Sequence, residues 1–70
     1  MEEIAQGARV TARTDERGLR FPIVARMIGP DPERVDYVIV RVEVDPNEAY
    51  AVDELVSVRE SRVAAVGIDE

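Results

Sequence analysis

Hydrophobic and polar residues alternate with a period of two along most of this chain, the signature of strands with one buried face. The first such run covers about Ala8 to Thr14, where Val10 and Ala12 point one way and Arg9, Thr11 and Arg13 the other. Asp15-Glu16-Arg17-Gly18 then supplies a turn, and Gly18 is free to take the left-handed backbone that closes a tight hairpin. The chain returns with Leu19, Phe21, Ile23, Ala25 and Met27 on one face and Arg20, Pro22, Val24, Arg26 and Ile28 on the other. Pro22 cannot donate to a ladder, which predicts an edge or a bulge at that point.

Gly29-Pro30-Asp31-Pro32 breaks the second run, because two prolines remove donors and fix the backbone. Val35 to Val44 is the clearest strand. It sets Val38, Val40, Val42 and Val44 on one face, with Tyr37, Ile39, Arg41 and Glu43 on the other. Asp45-Pro46-Asn47 makes the next turn. A short strand is predicted over Ala49 to Val52, one helical turn capped by Asp53 over Asp53-Glu54-Leu55, and extended structure again over Val56 to Arg59. Arg62 to Ile68 reads as a sixth strand, with a short helix as the alternative that its Ala pair permits. The expected fold class is therefore all-β. A single domain spans residues 1–70, with a core over about residues 7–59 and residues 60–70 as a C-terminal extension.

In this order of elements the chain resembles the SH3-like small β-barrels, the group that includes Tudor and KOW-type modules. Three places carry the likeness: Ile4 to Val10 as the approach to the first strand, the two long strands that follow, and Tyr50 to Val58 as fourth strand, helical turn and fifth strand. The resemblance implies a five-stranded barrel and a docking role. Tudor-type cages need several clustered aromatics, whereas this chain has only Phe21, Tyr37 and Tyr50, and no KOW pattern is recognisable. The type II dihydrofolate reductases, tetramers of similar small barrels, carry a Val-Gln-Ile-Tyr run in their pore. No such run occurs here, so that activity does not carry over.

Composition narrows the chemistry. A chain of 70 residues with 46% hydrophobic content can fold, but its core is thin, and without Cys it has no disulfide to support it. It also contains no His and no Lys; all nine basic residues are Arg, against 15 acids, for a net charge of −6. The usual general bases, activated nucleophiles and zinc ligands are therefore missing, and no cofactor or metal is expected. Ser57 and Ser61 have no imidazole or amine to activate them. Asp31-Pro32-Glu33 and Asp53-Glu54 are the densest acid clusters, but neither has the spacing of a calcium loop, and both suit turns and caps. No apolar run reaches the length of a membrane span and nothing resembles a signal peptide, so a cytoplasmic location is the expectation.

Two patterns point to contact with other molecules. Arg9, Arg13, Arg20, Arg26 and Arg41 share the outward parity of the first three strands, with Glu43 as the acid set among them. They read either as a solvated face with cross-strand pairs to Glu43 or as a docking face for an acidic partner or nucleic acid. Long-range repulsion from a net negative chain weighs against nucleic acid. Apolar residues also occur on both parities, as in Ile23 beside Val24, Met27 beside Ile28 and Val38-Ile39-Val40. Either Arg62 to Ile68 covers the second face or another chain does. The leading expectation is a non-catalytic protein-interaction module that self-associates, with Tyr37 and Ile39 beside the arginines as contact residues. The alternatives are a nucleic-acid or acidic-partner binder using the arginine face, and an enzyme whose active site forms between subunits.

Overall fold

The computed structural model describes residues 4–14 and 20–66. Within them the chain is all-β: β1 (Arg9–Ala12), β2 (Ile23–Pro30), β3 (Tyr37–Val44), β4 (Leu55–Arg59) and β5 (Val63–Ala65), with one 3-10 turn (Glu60–Arg62) before the last strand. All five join one antiparallel sheet in the order β4-β3-β2-β1-β5. Its edges, β4 and β5, share no ladder, so the sheet curls without closing.

The two-residue period places the core. Val10, Ala12, Ile23, Ala25, Val38, Val40, Val42, Val56 and Val58 alternate inward along the four longer strands and are buried together with Met27 and Tyr50. No charged side chain is buried among the described residues, though the hydroxyls of Tyr50 and Thr14 are out of solvent. Val63 packs against this cluster from β5, with Ile4 and Ala49.

Several expectations change. Gly18 and its hairpin, along with Leu19 and Ile68, lie outside the described residues. Phe21, expected to face inward, precedes β2 and is 55% exposed. Val44 is also exposed. Val24 pairs with Val44 but Ala25 pairs with Val42, so Glu43 is an extra residue that turns Val44 to the outer face opposite Val24. A second bulge lies where Met27 pairs with Val40 and Gly29 with Ile39, and Ile28 between them faces outward as expected. The outer-parity apolar residues do face outward, with Ile28 exposed and Val24 and Ile39 half-buried, so the two-sided apolar pattern is real.

Ala49 to Val52 is not a strand but part of a loop folded around Asp45. Asp53-Glu54-Leu55 is not a helical turn either. Asp53 has φ of 71°, outside the right-handed helical region, and the pair Asp53 N–H to Val42 O and Val42 N–H to Glu54 O simply carries the ladder toward β4. The helical turn lies further on, at Glu60–Arg62. The C-terminal segment takes the strand form of its two alternatives, but as the fifth strand and not a sixth. It does not cover the outer face: β5 lies beside β1, and its Val63 faces the core.

Candidate functional site

A groove of about 860 Å3 opens at one end of the sheet among the described residues. Its floor is apolar, from Ile4, Met27, Ile28, Val38 and Val63, and its rim carries Asp31, Arg34, Asp36 and Glu60. The groove exists because β2 and β3 run past the short β5, leaving their ends uncovered, while the β2–β3 loop rises beside them.

That loop is fixed at several points. The Asp31 N–H donates to Tyr37 O (2.9 Å), and Asp31 Oδ1 accepts from the Glu33 N–H (2.8 Å), an Asx turn. Asp31 Oδ2 accepts from the Ser57 hydroxyl at 2.6 Å, tying the loop to β4. Asp36 adopts a left-handed φ of 68° and its carbonyl accepts from the Glu60 N–H at 2.8 Å, which anchors the 3-10 turn to the same loop. Val35, at 85% exposure, projects from the loop as the most exposed large hydrophobic residue described.

Tyr37 separates this groove from a smaller hollow of about 130 Å3 and lines both. The Arg34 guanidinium lies 3.8 Å from its ring centroid and that of Arg59 at 5.1 Å, both within cation–π range. The Arg59 Nη2 also donates to the Tyr37 hydroxyl at 3.1 Å. The hollow is otherwise walled by Arg13, Thr14, Ser57, Val58 and Arg62, where the end of β1 and the 3-10 turn approach β4.

The arginine face is partly assembled. Arg9, Arg26 and Arg41 stand in register on β1, β2 and β3, forming a row across the outer face. The bulged Glu43 accepts from Arg9 Nε (3.2 Å) and from Arg26 Nε (2.9 Å), and Arg26 Nη1 donates to Gly7 O (3.1 Å). Arg41 is exposed, and its side chain makes no ion pair among the described residues. Arg13 and Arg20 do not join the row: Arg13 lines the small hollow, and the Arg20 backbone N–H donates to Asn47 Oδ1 at the far loop. Ile39 is half-buried between Gly29 and Ser57 in the ladder. The groove itself was not legible in the sequence, since Ile4, Met27 and Val63 are brought together only by the strand order.

Three carboxyls are held below their ordinary range. Asp31 is lowered by the Ser57 hydrogen bond, then by the Glu33 N–H, with Arg34 adding attraction. Glu43 is lowered chiefly by its bond to Arg26, with Arg9 assisting. Desolvation pushes Asp45 up, but the combined donors of Asn47, Tyr50 and Ala49 outweigh it. A carboxyl with a depressed folded pKa contributes stability that is present above its unfolded pKa and is lost as the pH falls through the folded value. The Tm is therefore expected to stay flat from about pH 5.5 to 8, where an unperturbed side chain of this His-free chain does not titrate, and to fall once the pH drops below about 4. Thermal melts across that range check this, and a decline centred near neutrality would contradict it.

Among the described residues no three carboxylates converge to hold a metal ion, and no helix is long and apolar enough to cross a membrane. No family model, no curated protein and no solved structure matches the chain.

Proposed function

We propose that the chain is a non-catalytic interaction module on an SH3-like small barrel, and that it docks an extended apolar segment of a protein partner in the groove beside Tyr37. A second copy of the chain is included among such partners. The strand order β4-β3-β2-β1-β5, with a helical turn between the last two strands, supports the SH3-like assignment. The observation that carries the function is the groove itself: about 860 Å3 of space with an apolar floor, a charged rim and braced walls, on a chain of only 70 residues. Concavities of this size and lining are where proteins take ligands. The missing His, Cys and Lys favour docking over catalysis.

Selection from a random peptide display library against the immobilised protein tests this without a known partner. The expected result is a consensus rich in apolar residues. Its binding should fall by about tenfold or more in Val35→Asp and Ile28→Asp, which remove apolar contact from the groove, and persist in Leu55→Asp at a distant exposed position. Sedimentation of the same variants reads self-association, which should weaken in the groove variants alone. Selection of acidic peptides instead, bound in a salt-sensitive way and lost in Arg41→Glu, would move the function to the arginine row. Failure to enrich any peptide would remove the groove reading.

A further inference from the structure

Phe21, the single phenylalanine of the chain, stands 55% exposed at the approach to β2, yet its backbone is held on both sides of the ring. Asn47 Oδ1 accepts from the Phe21 N–H at 3.0 Å, and Asn47 Nδ2 donates to the Phe21 carbonyl at 2.8 Å. The same Oδ1 accepts from the Arg20 N–H at 3.1 Å, and Asp45 holds Asn47 in turn. Pro22 follows and stiffens the backbone further. An exposed aromatic ring on a braced backbone has given up much of its conformational freedom before it meets anything, which is what a docking anchor requires.

This knob and the groove beside Tyr37 lie at opposite ends of β2, about 25 Å apart along the strand, so the ring cannot enter the groove of its own chain. On two copies the same features can meet, and their chemistry matches. The groove floor is apolar, and its rim carries Asp36 and Glu60, whose carboxylates make no ion pair among the described residues. The two residues are neighbours, because the Glu60 N–H donates to the Asp36 carbonyl at 2.8 Å. Arg34 on that rim is drawn to the Tyr37 ring at 3.8 Å and to Asp31. Arg20, immediately before Phe21, is exposed and brings a cation to the same segment as the ring.

We infer that the occupant of the groove is a second copy of this chain, whose Phe21 ring lies on the apolar floor while its Arg20 meets Asp36 and Glu60. The inference rests on the docking role proposed for the groove and names the segment that fills it. Knob and groove are different surfaces, so the contact is head-to-tail, and every added copy leaves one free knob and one free groove. Such growth ends in a ring where the rotation closes and in a filament where it does not. One aromatic anchor buries about 200 Å2, well under a standard interface, so half-assembly is expected at about 100 µM.

Sedimentation of the full chain, from about 5 µM to about 1 mM, tests the inference, with an average mass that rises with concentration as the expected result. Phe21→Asp removes the knob and Ile28→Asp spoils the groove, and each variant alone should stay monomeric throughout. Mixed in equal amounts they should form a one-to-one dimer that grows no further, because Ile28→Asp keeps its knob and Phe21→Asp keeps its groove. Phe21→Ala, which removes only an exposed ring, should also stay monomeric and guards against an effect of the new charge on folding. Arg20→Glu should weaken assembly by about fivefold at low salt, and adding Glu60→Arg to the same chain should restore it. A parent chain that is monomeric at every concentration would overturn the inference and leave peptide docking in the groove untouched. Assembly retained in Phe21→Asp or Ile28→Asp, or a mixture of the two that stays monomeric, would overturn it as well. Failure of the docking role itself shows separately, as a peptide selection that enriches nothing.

Discussion

Ile23→Ala is expected to lower the unfolding free energy by about 3 kcal/mol, whereas Phe21→Ala, two residues earlier and on the same parity, changes it by less than about 0.5 kcal/mol. Ile23 is fully buried at the start of β2, where truncation leaves a cavity between strands that cannot collapse onto it. Phe21 is mostly in solvent and is held by its backbone: its N–H donates to Asn47 Oδ1 at 3.0 Å and its carbonyl accepts from Asn47 Nδ2 at 2.8 Å. A domain of this size has a total stability on the order of 5 kcal/mol, so Ile23→Ala should be substantially unfolded at modest urea concentrations. Urea titrations of the two variants decide the matter. Equal losses would mean that Phe21 packs inward as its sequence parity suggests.

The second large effect is expected at Asp45. Its carboxylate accepts from the Asn47 N–H (2.8 Å) and Asn47 Nδ2 (2.7 Å) on one oxygen, and from the Ala49 (2.7 Å) and Tyr50 (2.8 Å) N–H groups on the other. Those contacts shape the loop that delivers Tyr50 to the core, and they hold the Asn47 amide that clamps the backbone of Arg20 and Phe21. Asp45→Ala leaves these donors without their acceptor and should cost on the order of 2 kcal/mol, because hydrogen bonds to a charged group are the strong kind. For a domain of this length that corresponds to a fall in Tm of about 10 °C. Asp45→Asn keeps one acceptor oxygen and should recover part of the loss. A Tm for Asp45→Ala within about 2 °C of the parent would show that the loop is held by other means.

These two sites also mark what the sequence makes legible. The strands around Val38, Val40 and Val42 are readable because each inward residue is separated by one outward residue, and Asp45-Pro46-Asn47 is readable as a turn from its residue types alone. Parity fails where the ladder slips at Glu43, an extra residue that reverses Val44, whereas Ile28 faces outward as its parity predicts. Sequence gives no warning of the bulge at Glu43, because Glu fits an ordinary strand. Tyr50-Ala51-Val52 imitates a strand, yet the Tyr50 and Ala51 N–H groups go to the Asp45 and Glu54 side chains. That Arg9, Arg26 and Arg41 share a face with Glu43 follows from the parity reading; their register, and the pairing of Glu43 with Arg9 and Arg26 and not with Arg41, do not. The two hollows do not follow from it. They require knowing that Val63 lies near Met27, and that Arg13 approaches Arg62, whose carbonyl accepts from the Arg13 N–H at 3.0 Å.

Both hollows depend on the short C-terminal strand pairing with β1, which leaves an open seam toward β4. Cross-strand nuclear Overhauser contacts in the folded chain measure that arrangement directly. Contacts linking Val10 with Ala65 and Ala12 with Val63 are the expected result, together with slow exchange of the Val66 amide, which donates to Arg9 O at 3.0 Å. Contacts from Val63–Ala65 to Leu55–Arg59, or helical contacts within that segment, would contradict the arrangement and remove the groove with it.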